Sequence, residues 1–393
     1  MTQGLLELAA PTATRRAATE RIDDWLGSVR PPTPCVVVDL DIVRSQHRAL
    51  AEALPFAQIF YAVKANPAPA VITALAALGV SFDLASSGEI DRCADLGIPA
   101  HRFSFGNIVK READVARAHS LGVGLFAFDS EGELEKLARA APGATVFCRL
   151  EVSDTGAEWP LTHKFGCHPD MAERLLINAK QWGLKPVGVS FHVGSQQTRP
   201  EAWHRAIDVA ARVFEKCRSA GLDLDLINLG GGLPAHYCDL VPPLCDYADV
   251  IAGALERNFG ASRPRIIIEP GRYLVGDAGL LRASVLLVAK KSYRAKRRWV
   301  YLDAGRYNGL PETLGERIHY RLRTPRDGAA TGPVALAGPT CDSTDIIYDR
   351  TSRELPLDLA IGDPIDFLSA GAYTASYASV EFNGFSPIRT YCI

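Results

Sequence analysis

The chain has 393 residues, of which 47% are hydrophobic and 22% charged, and its formal net charge is -2. That length suits two domains better than one, and the composition is that of an ordinary globular protein. A charge this near to balance offers no field for nucleic acid or an anionic membrane, so neither is expected as a partner.

The opening stretch MTQGLLELAAPTATRRAATE has a short apolar patch with no preceding positive charge, a poor signal peptide. No apolar run reaches the roughly 20 residues that span a bilayer. Nine cysteines lie between Cys35 and Cys392 without a CxxC pair. Scattered thiols fit a reducing compartment, and the expected location is cytoplasmic.

A run at 35–38 comes first and is expected to pair into a C-terminal β-domain. Apolar runs rich in Val, Ile and Phe follow at 59–63, 80–84, 103–105, 124–128, 145–152, 187–193, 226–229 and 266–268. Segments with helical spacing separate them, at 70–78, 89–96, 111–121, 130–140, 171–183, 201–220 and 247–259. This alternation predicts an α/β fold, a TIM-like (β/α)8 barrel, although periodicity alone leaves a doubly wound sheet open. The strand ends carry Lys64, Asp83, Gly106, Asp129, Arg149, His192, Gly230 and Glu269. In a barrel these ends meet on one face, where active sites form. Polar residues could merely stop strands, which accounts for Asp129 but poorly for Lys64 and His192.

After Tyr273 the rhythm changes. Strand-like runs at 284–288, 299–302, 334–337, 345–348 and 364–368 follow without long helices. They predict a mostly antiparallel β-domain, built from 1–39 and 276–393, beside a barrel over 40–275. The charged stretch 290–298 reads as a solvated hairpin or loop.

Several motifs carry chemistry. In YAVKAN a lysine, Lys64, ends an apolar strand; partial burial would lower its pKa, and a neutral amine forms a Schiff base. In LGGGLP the glycines, Gly231 and Gly232 among them, let backbone N–H groups wrap a phosphate. In EPGRY, Glu269 can hold a pyridine nitrogen protonated, while Arg272 beside Gly271 suits a phosphate. In FHVGS, His192 can pack on an aromatic ring and Ser195 can donate to a phosphate. In GPTCDSTD, the Cys341 thiol can protonate a carbanion and Asp342 can pair with an ammonium group. Each has a plainer reading: a snorkelling lysine, a tight turn, a structural ion pair, a packed histidine. No His/Asp/Glu cluster has metal-ligand spacing, so no metal is expected.

Together with FDLAS, KFG, GAYT and FNGF, these motifs run from about Pro34 to the end, and the chain resembles the fold-type III pyridoxal-phosphate decarboxylases. These alanine-racemase-like enzymes act on ornithine, lysine, diaminopimelate or arginine. The resemblance implies that Lys64 carries pyridoxal 5'-phosphate, Glu269 pairs with its ring nitrogen and His192 stacks on the ring. Ser195, the amides around Gly231 and Gly232, Gly271, Arg272 and Tyr373 would hold the phosphate. Asp83, Glu89 and Arg149 would support the lysine and cofactor. It further implies a homodimer with shared sites, in which Cys341 and Asp342 reach into the partner's site and Lys164 lies near the interface.

The stretches YLDAGRYNGLPETLGERIHY and GAYTASYASVEFNGF look like the bacterial ornithine/lysine branch. The implied reaction is decarboxylation of L-ornithine and/or L-lysine to a diamine such as putrescine or cadaverine. Asp342, Glu316 and Phe382 are the candidate substrate contacts. Eukaryotic ornithine enzymes have a Tyr–Asp pair where this chain has Gly315-Glu316, which leaves the distal-amine contact open. The rival readings are a decarboxylase for diaminopimelate or another unusual basic amino acid, including a D-configured one, and an inactive regulatory homologue.

Overall fold

A computed structural model describes residues 13–159, 164–379, 383 and 387–393. Helix α1 (Ala13–Val29) leads into strand β1 (Cys35–Val38) and helix α2 (Leu40–Ala53). Asp39 caps α2, its side chain accepting the N–H groups of Asp41 and Ile42. Then β2 (Ala57–Ala62), α3 (Pro69–Ala76), β3 (Ser81–Leu84), α4 (Ser87–Asp95), β4 (Phe103–Phe105), α5 (Glu112–Leu121), β5 (Leu125–Phe128), α6 (Glu131–Ala140) and β6 (Thr145–Arg149) alternate. A short strand β7 (Ala157–Trp159) precedes α7 (Pro169–Gln181) and β8 (Lys185–Ser190). Another short strand, β9 (Ser195–Gln197), precedes α8 (Glu201–Ser219), β10 (Leu226–Asn228), α9 (Leu244–Phe259), β11 (Arg265–Ile268) and the single turn α10 (Arg272–Val275).

Strands β2, β3, β4, β5, β6, β8, β10 and β11 close into one barrel. Every neighbouring pair is parallel, and β11 returns to β2. The expected (β/α)8 barrel is therefore present, and the doubly wound alternative falls away.

The pleat explains how this barrel builds a site. Phe60, Leu125, Ala127, Phe147, Leu226 and Ile267 form a small core of their own, apart from the large core that the helices share. These residues fill the barrel interior. Side chains alternate along a strand, so residues two positions further on also face inward. Starting from Phe147, Leu226 and Ile267, that step leads to Arg149, Asn228 and Glu269, at or just past the C-terminal strand ends. On β2 the same parity runs from Phe60 through Ala62 to Lys64. The intervening residues Tyr61, Phe126 and Phe128 are fully buried on the helix side.

Strands β12 (Gly279–Ala289), β13 (Arg298–Leu302), β14 (Leu322–Arg323), β15 (Thr331–Ala337), β16 (Ile346–Pro356) and β17 (Pro364–Leu368) build a second sheet, with order β14-β17-β12-β13-β15-β16. Only β13–β15 is parallel along this path. Strand β1 pairs antiparallel with β12 and parallel with β18 (Arg389–Cys392), so the first strand of the chain belongs to the last domain.

Several details depart from the sequence reading. Strand β8 stops at Ser190, which places His192 in the loop beyond it. Lys64 sits in a 3-10 turn, Val63–Ala65, directly after β2 rather than on the strand. The hairpin-like pair β7–β9 was not foreseen; its strands have three residues each, too short for a periodic signal.

Candidate active site

Lys64, Asp83, Arg149, His192, Ser195 and Tyr373 line one cavity of about 540 Å³ at the C-terminal face of the barrel. Asn107, Trp159, Lys164, Phe165, Glu312 and Tyr377 complete much of its wall.

The lysine is held from two sides. Its Nζ lies 3.2 Å from Asp83 Oδ2, and its carbonyl accepts the Ser376 hydroxyl at 2.9 Å. Asp83 needs Gly106 beside it, because a Cβ there would fall 2.0 Å from its Oδ1. Burial works against the charge on Lys64, but Asp83, Tyr373, Glu269 and Glu89 outweigh it, and the pKa rises well above the ordinary lysine value. The expectation of a lowered pKa is thereby corrected. About half of the side chain is accessible, but it faces a cavity whose walls supply the carboxylates. Lys64 is a cation until a proton is taken from it.

Glu269 is fixed by Asn228, whose amide donates to Oε1. The same Asn228 accepts the Gly230 N–H at 2.9 Å through its Oδ1. One side chain thus ties the acid to the glycine turn. Burial, then repulsion from Asp83, pushes the Glu269 carboxyl up to about 7, against the opposing pull of Asn228, Lys64 and Arg149. Burial, then Arg149 and Lys64, holds His192 well below its ordinary value, so the imidazole is neutral. Its Nδ1 accepts the Gly194 N–H at 3.0 Å, which puts the ring proton on Nε2. Arg149 lies 4.8 Å over the Phe165 ring; burial lowers its pKa, with Glu269 and Asp83 opposing.

The glycine turn is packed too tightly for any side chain. Gly230 has φ +65°, and a Cβ there would meet Phe191 O at 2.0 Å. At Gly231 it would meet Glu269 O at 2.7 Å and His192 Nε2 at 3.1 Å; at Gly271, Ala65 Cβ at 2.9 Å and Tyr373 Oη at 3.4 Å. Ser195, Arg272 and Tyr373 stand around this bend, with the guanidinium 3.1 Å from Ser195 Oγ and 4.9 Å from the Tyr373 ring centroid. Backbone amides, a hydroxyl and an arginine around a space closed to Cβ atoms fit a phosphate. The residues present therefore fit pyridoxal phosphate: Lys64 for its aldehyde, Glu269 for its ring nitrogen and the bend for its phosphate.

Other expectations fare differently. Cys341, exposed, and Asp342, half-buried, belong to the β-domain and do not line this cavity. The Cys341 thiol lies 3.6 Å from Asn383 Oδ1, and Asp342 accepts the backbone N–H of Thr344 at 2.8 Å. Glu316, expected at the substrate, stands apart from the cavity residues, and its carboxylate accepts the N–H groups of Asp349, Arg350 and Thr351 at 2.7–2.8 Å. The Thr351 side chain, followed by these backbone bonds, overcomes burial and holds the carboxyl at about 2. Phe382 lies outside the described residues.

The sequence reading missed Asn228 and Glu312. Asn228 could have been found, because it ends an inward-facing strand two residues before the glycines. Nothing local marks Glu312, which arrives from the β-domain.

A parallel barrel with a lysine, a buried acid and a phosphate cradle on one rim defines an enzyme that works through a phosphate-bearing carbonyl cofactor. Comparison with known proteins gives the family. Residues 40–276 match the pyridoxal binding domain of the pyridoxal-dependent decarboxylases, and residues 272–371 match their C-terminal sheet domain. The chain is 35% identical over 358 residues to lysine/ornithine decarboxylase of Selenomonas ruminantium, covering 91% of this chain and 88% of that protein. It is also 35% identical to ornithine decarboxylase of Mus musculus, over 91% of this chain and 80% of that one. The crystal structure of lysine/ornithine decarboxylase from Vibrio vulnificus, complexed with cadaverine, superposes with a TM-score of 0.86 at 34% identity, over 95% of this chain and 98% of that chain. The chain belongs to the pyridoxal-dependent decarboxylase family.

Proposed function

We propose that this protein decarboxylates a small basic amino acid, L-ornithine and/or L-lysine, to the corresponding diamine, putrescine or cadaverine. The observation that carries this reading is a cavity lined by Lys64, His192 and Ser195, with Glu269 acting on the Lys64 charge and the Gly230–Gly232 bend packed behind His192. When bound, pyridoxal phosphate supplies an electron sink for the pair released as the bond from Cα to the carboxylate breaks.

The chain's own residues set the conditions. Glu269, held by Asn228, offers a carboxyl whose proton is finely balanced near neutrality, suited to sharing with a pyridine nitrogen. His192, neutral and with its proton on Nε2, can pack against a ring without adding charge. Lys64 takes and gives protons beside Asp83. Arg149 and Phe165 wall the cavity against bulk water.

The reading includes a homodimer with shared sites. Cys341 is exposed, Asp342 is half-buried, and both lie outside their own chain's cavity, which supports their serving a second copy: Cys341 as proton donor to Cα, Asp342 as partner of the distal ammonium. Nine unpaired cysteines support a reducing, cytoplasmic setting. Among the described residues, no helix is long and apolar enough to cross a membrane.

The test is a substrate panel. Purified protein with pyridoxal phosphate is incubated with L-ornithine, L-lysine, L-arginine, diaminopimelate and the D-isomers, and the amines are identified. Putrescine or cadaverine is expected. Product only from diaminopimelate or a D-substrate would overturn the assignment, and no product from any of them would point to an inactive homologue.

A further inference from the structure

Arg272, the arginine assigned to the phosphate, already has a buried anionic partner. Glu312, from the 3-10 segment Pro311–Glu316, grips it as a fork: Nη1 donates to Oε2 at 2.7 Å and Nη2 to Oε1 at 2.5 Å. Both side chains are about 95% buried, and Glu312 also reaches the cavity wall beside Ser195. The rest of the guanidinium is engaged as well. Nη1 donates to Tyr237 Oη at 2.6 Å, and Nε and Nη2 donate to Ser195 Oγ at 3.3 and 3.1 Å. An arginine has five N–H donors, and these contacts take all five.

We propose that Glu312 is an internal competitor for the phosphate site, an in-built counter-ion of Arg272 that sets how tightly the cofactor's phosphate is held. This rests on the assignment of pyridoxal phosphate to the cavity. A phosphate arriving at Ser195 meets not a free cation but a neutralised pair. It gains less from Arg272 than it would from an unpaired guanidinium, and it carries its own charge close to the Glu312 carboxylate. Buried in low dielectric, both effects are strong. A role in which Glu312 only aims the arginine predicts the opposite sign, because losing it would then weaken phosphate binding.

The experiment uses the full chain stripped of cofactor. Wild type and Glu312→Gln are titrated with inorganic phosphate, with pyridoxal phosphate and with pyridoxal, which lacks the phosphate. The glutamine keeps the shape and removes the charge. Glu312→Gln is expected to bind phosphate and pyridoxal phosphate about tenfold or more tightly than wild type, with pyridoxal unchanged. Equal or weaker phosphate binding by a folded variant would overturn the proposal. If Glu312→Gln does not fold, Glu312→Ala serves, since it too removes the carboxylate; it should also tighten phosphate binding, and no change would again overturn the idea. A wild type that takes up no pyridoxal phosphate would sink the cofactor assignment instead, while the inorganic phosphate comparison would still decide the role of Glu312.

Discussion

Lys64 and Asp83 meet 3.2 Å apart across the first two barrel strands, and Asp83 leads the set of groups that keeps the lysine charged against its burial. Asp83 is 5% exposed and stands where the lysine side chain ends. A lysine so paired must lose a proton before it can attack an aldehyde. Asp83→Asn should therefore lower the pH at which the stripped protein takes up pyridoxal phosphate covalently. The check is the rate of growth of visible absorbance against pH. An unshifted profile would mean that Asp83 does not govern the amine. Lys64→Ala should abolish the absorbance outright.

The acid beside the glycine turn depends on Asn228. Asn228→Ala would leave the Gly230 N–H and one Glu269 oxygen without their partner, both in buried surroundings. Global stability should fall by roughly 2–4 kcal/mol in denaturant unfolding. Because the Asn228 bond favours the ionised acid, its loss should also move the Glu269 titration above about 7. The acid limb of kcat/KM against pH should shift upward with it, which a purely structural loss would not produce.

His192 gives the stability of the stripped protein a defined pH dependence. Its folded pKa is depressed, so below its ordinary value of 6.5 the unfolded chain binds a proton that the folded chain refuses. That contribution is whole above 6.5 and is lost as the pH falls. Glu269 acts in the opposite direction: between its ordinary value of 4.5 and about 7 the folded chain keeps a proton that the unfolded chain has released. Comparison with a variant separates the two. The Tm gap between wild type and His192→Gln should narrow as the pH falls from about 7.5 to about 5.5. A gap that stays constant would contradict a neutral, buried imidazole.

Glu316 should matter to the fold and not to substrate choice. Glu316→Ala removes the acceptor of three backbone N–H groups at the start of the 349–351 segment. A Tm lower by a few degrees is expected, with the ratio of ornithine to lysine turnover unchanged. With its pKa depressed to about 2, the wild-type contribution is present above 4.5 and lost as the pH falls toward 2. A changed substrate ratio at unchanged stability would restore Glu316 as a substrate contact.

Shared sites would show in mixing. Lys64→Ala and Cys341→Ala chains should each be nearly inactive alone. Mixed in equal amounts and allowed to exchange, they should recover about a quarter of wild-type activity, because half the dimers are hybrid and each hybrid holds one intact site. Hybrids demonstrated by mass spectrometry but without recovery would exclude a shared site.

Much of this was legible in the sequence because barrel strands obey a local rule. Alternation along each strand and polar residues at the ends placed Arg149 and Glu269 on the inner rim, and glycines following a strand announced the bend. Chain order alone brought Lys64, Asp83 and Arg149 to the same face, since parallel strands all finish there. Charge was another matter. The burial that should have made Lys64 neutral is overruled by Asp83 together with Tyr373, Glu269 and Glu89, groups 19 or more residues away whose distances only the tertiary fold sets. Glu316 looked like a free carboxylate in a substrate-facing motif, yet three backbone amides of a distant strand consume it. Glu312 gave no signal, because its partner Arg272 lies 40 residues earlier in another domain. Periodicity and strand ends are properties of a segment. The protonation of a buried group belongs to its neighbours in space, and those were decided by closure of the barrel and, for Arg272, by the packing of the β-domain against it.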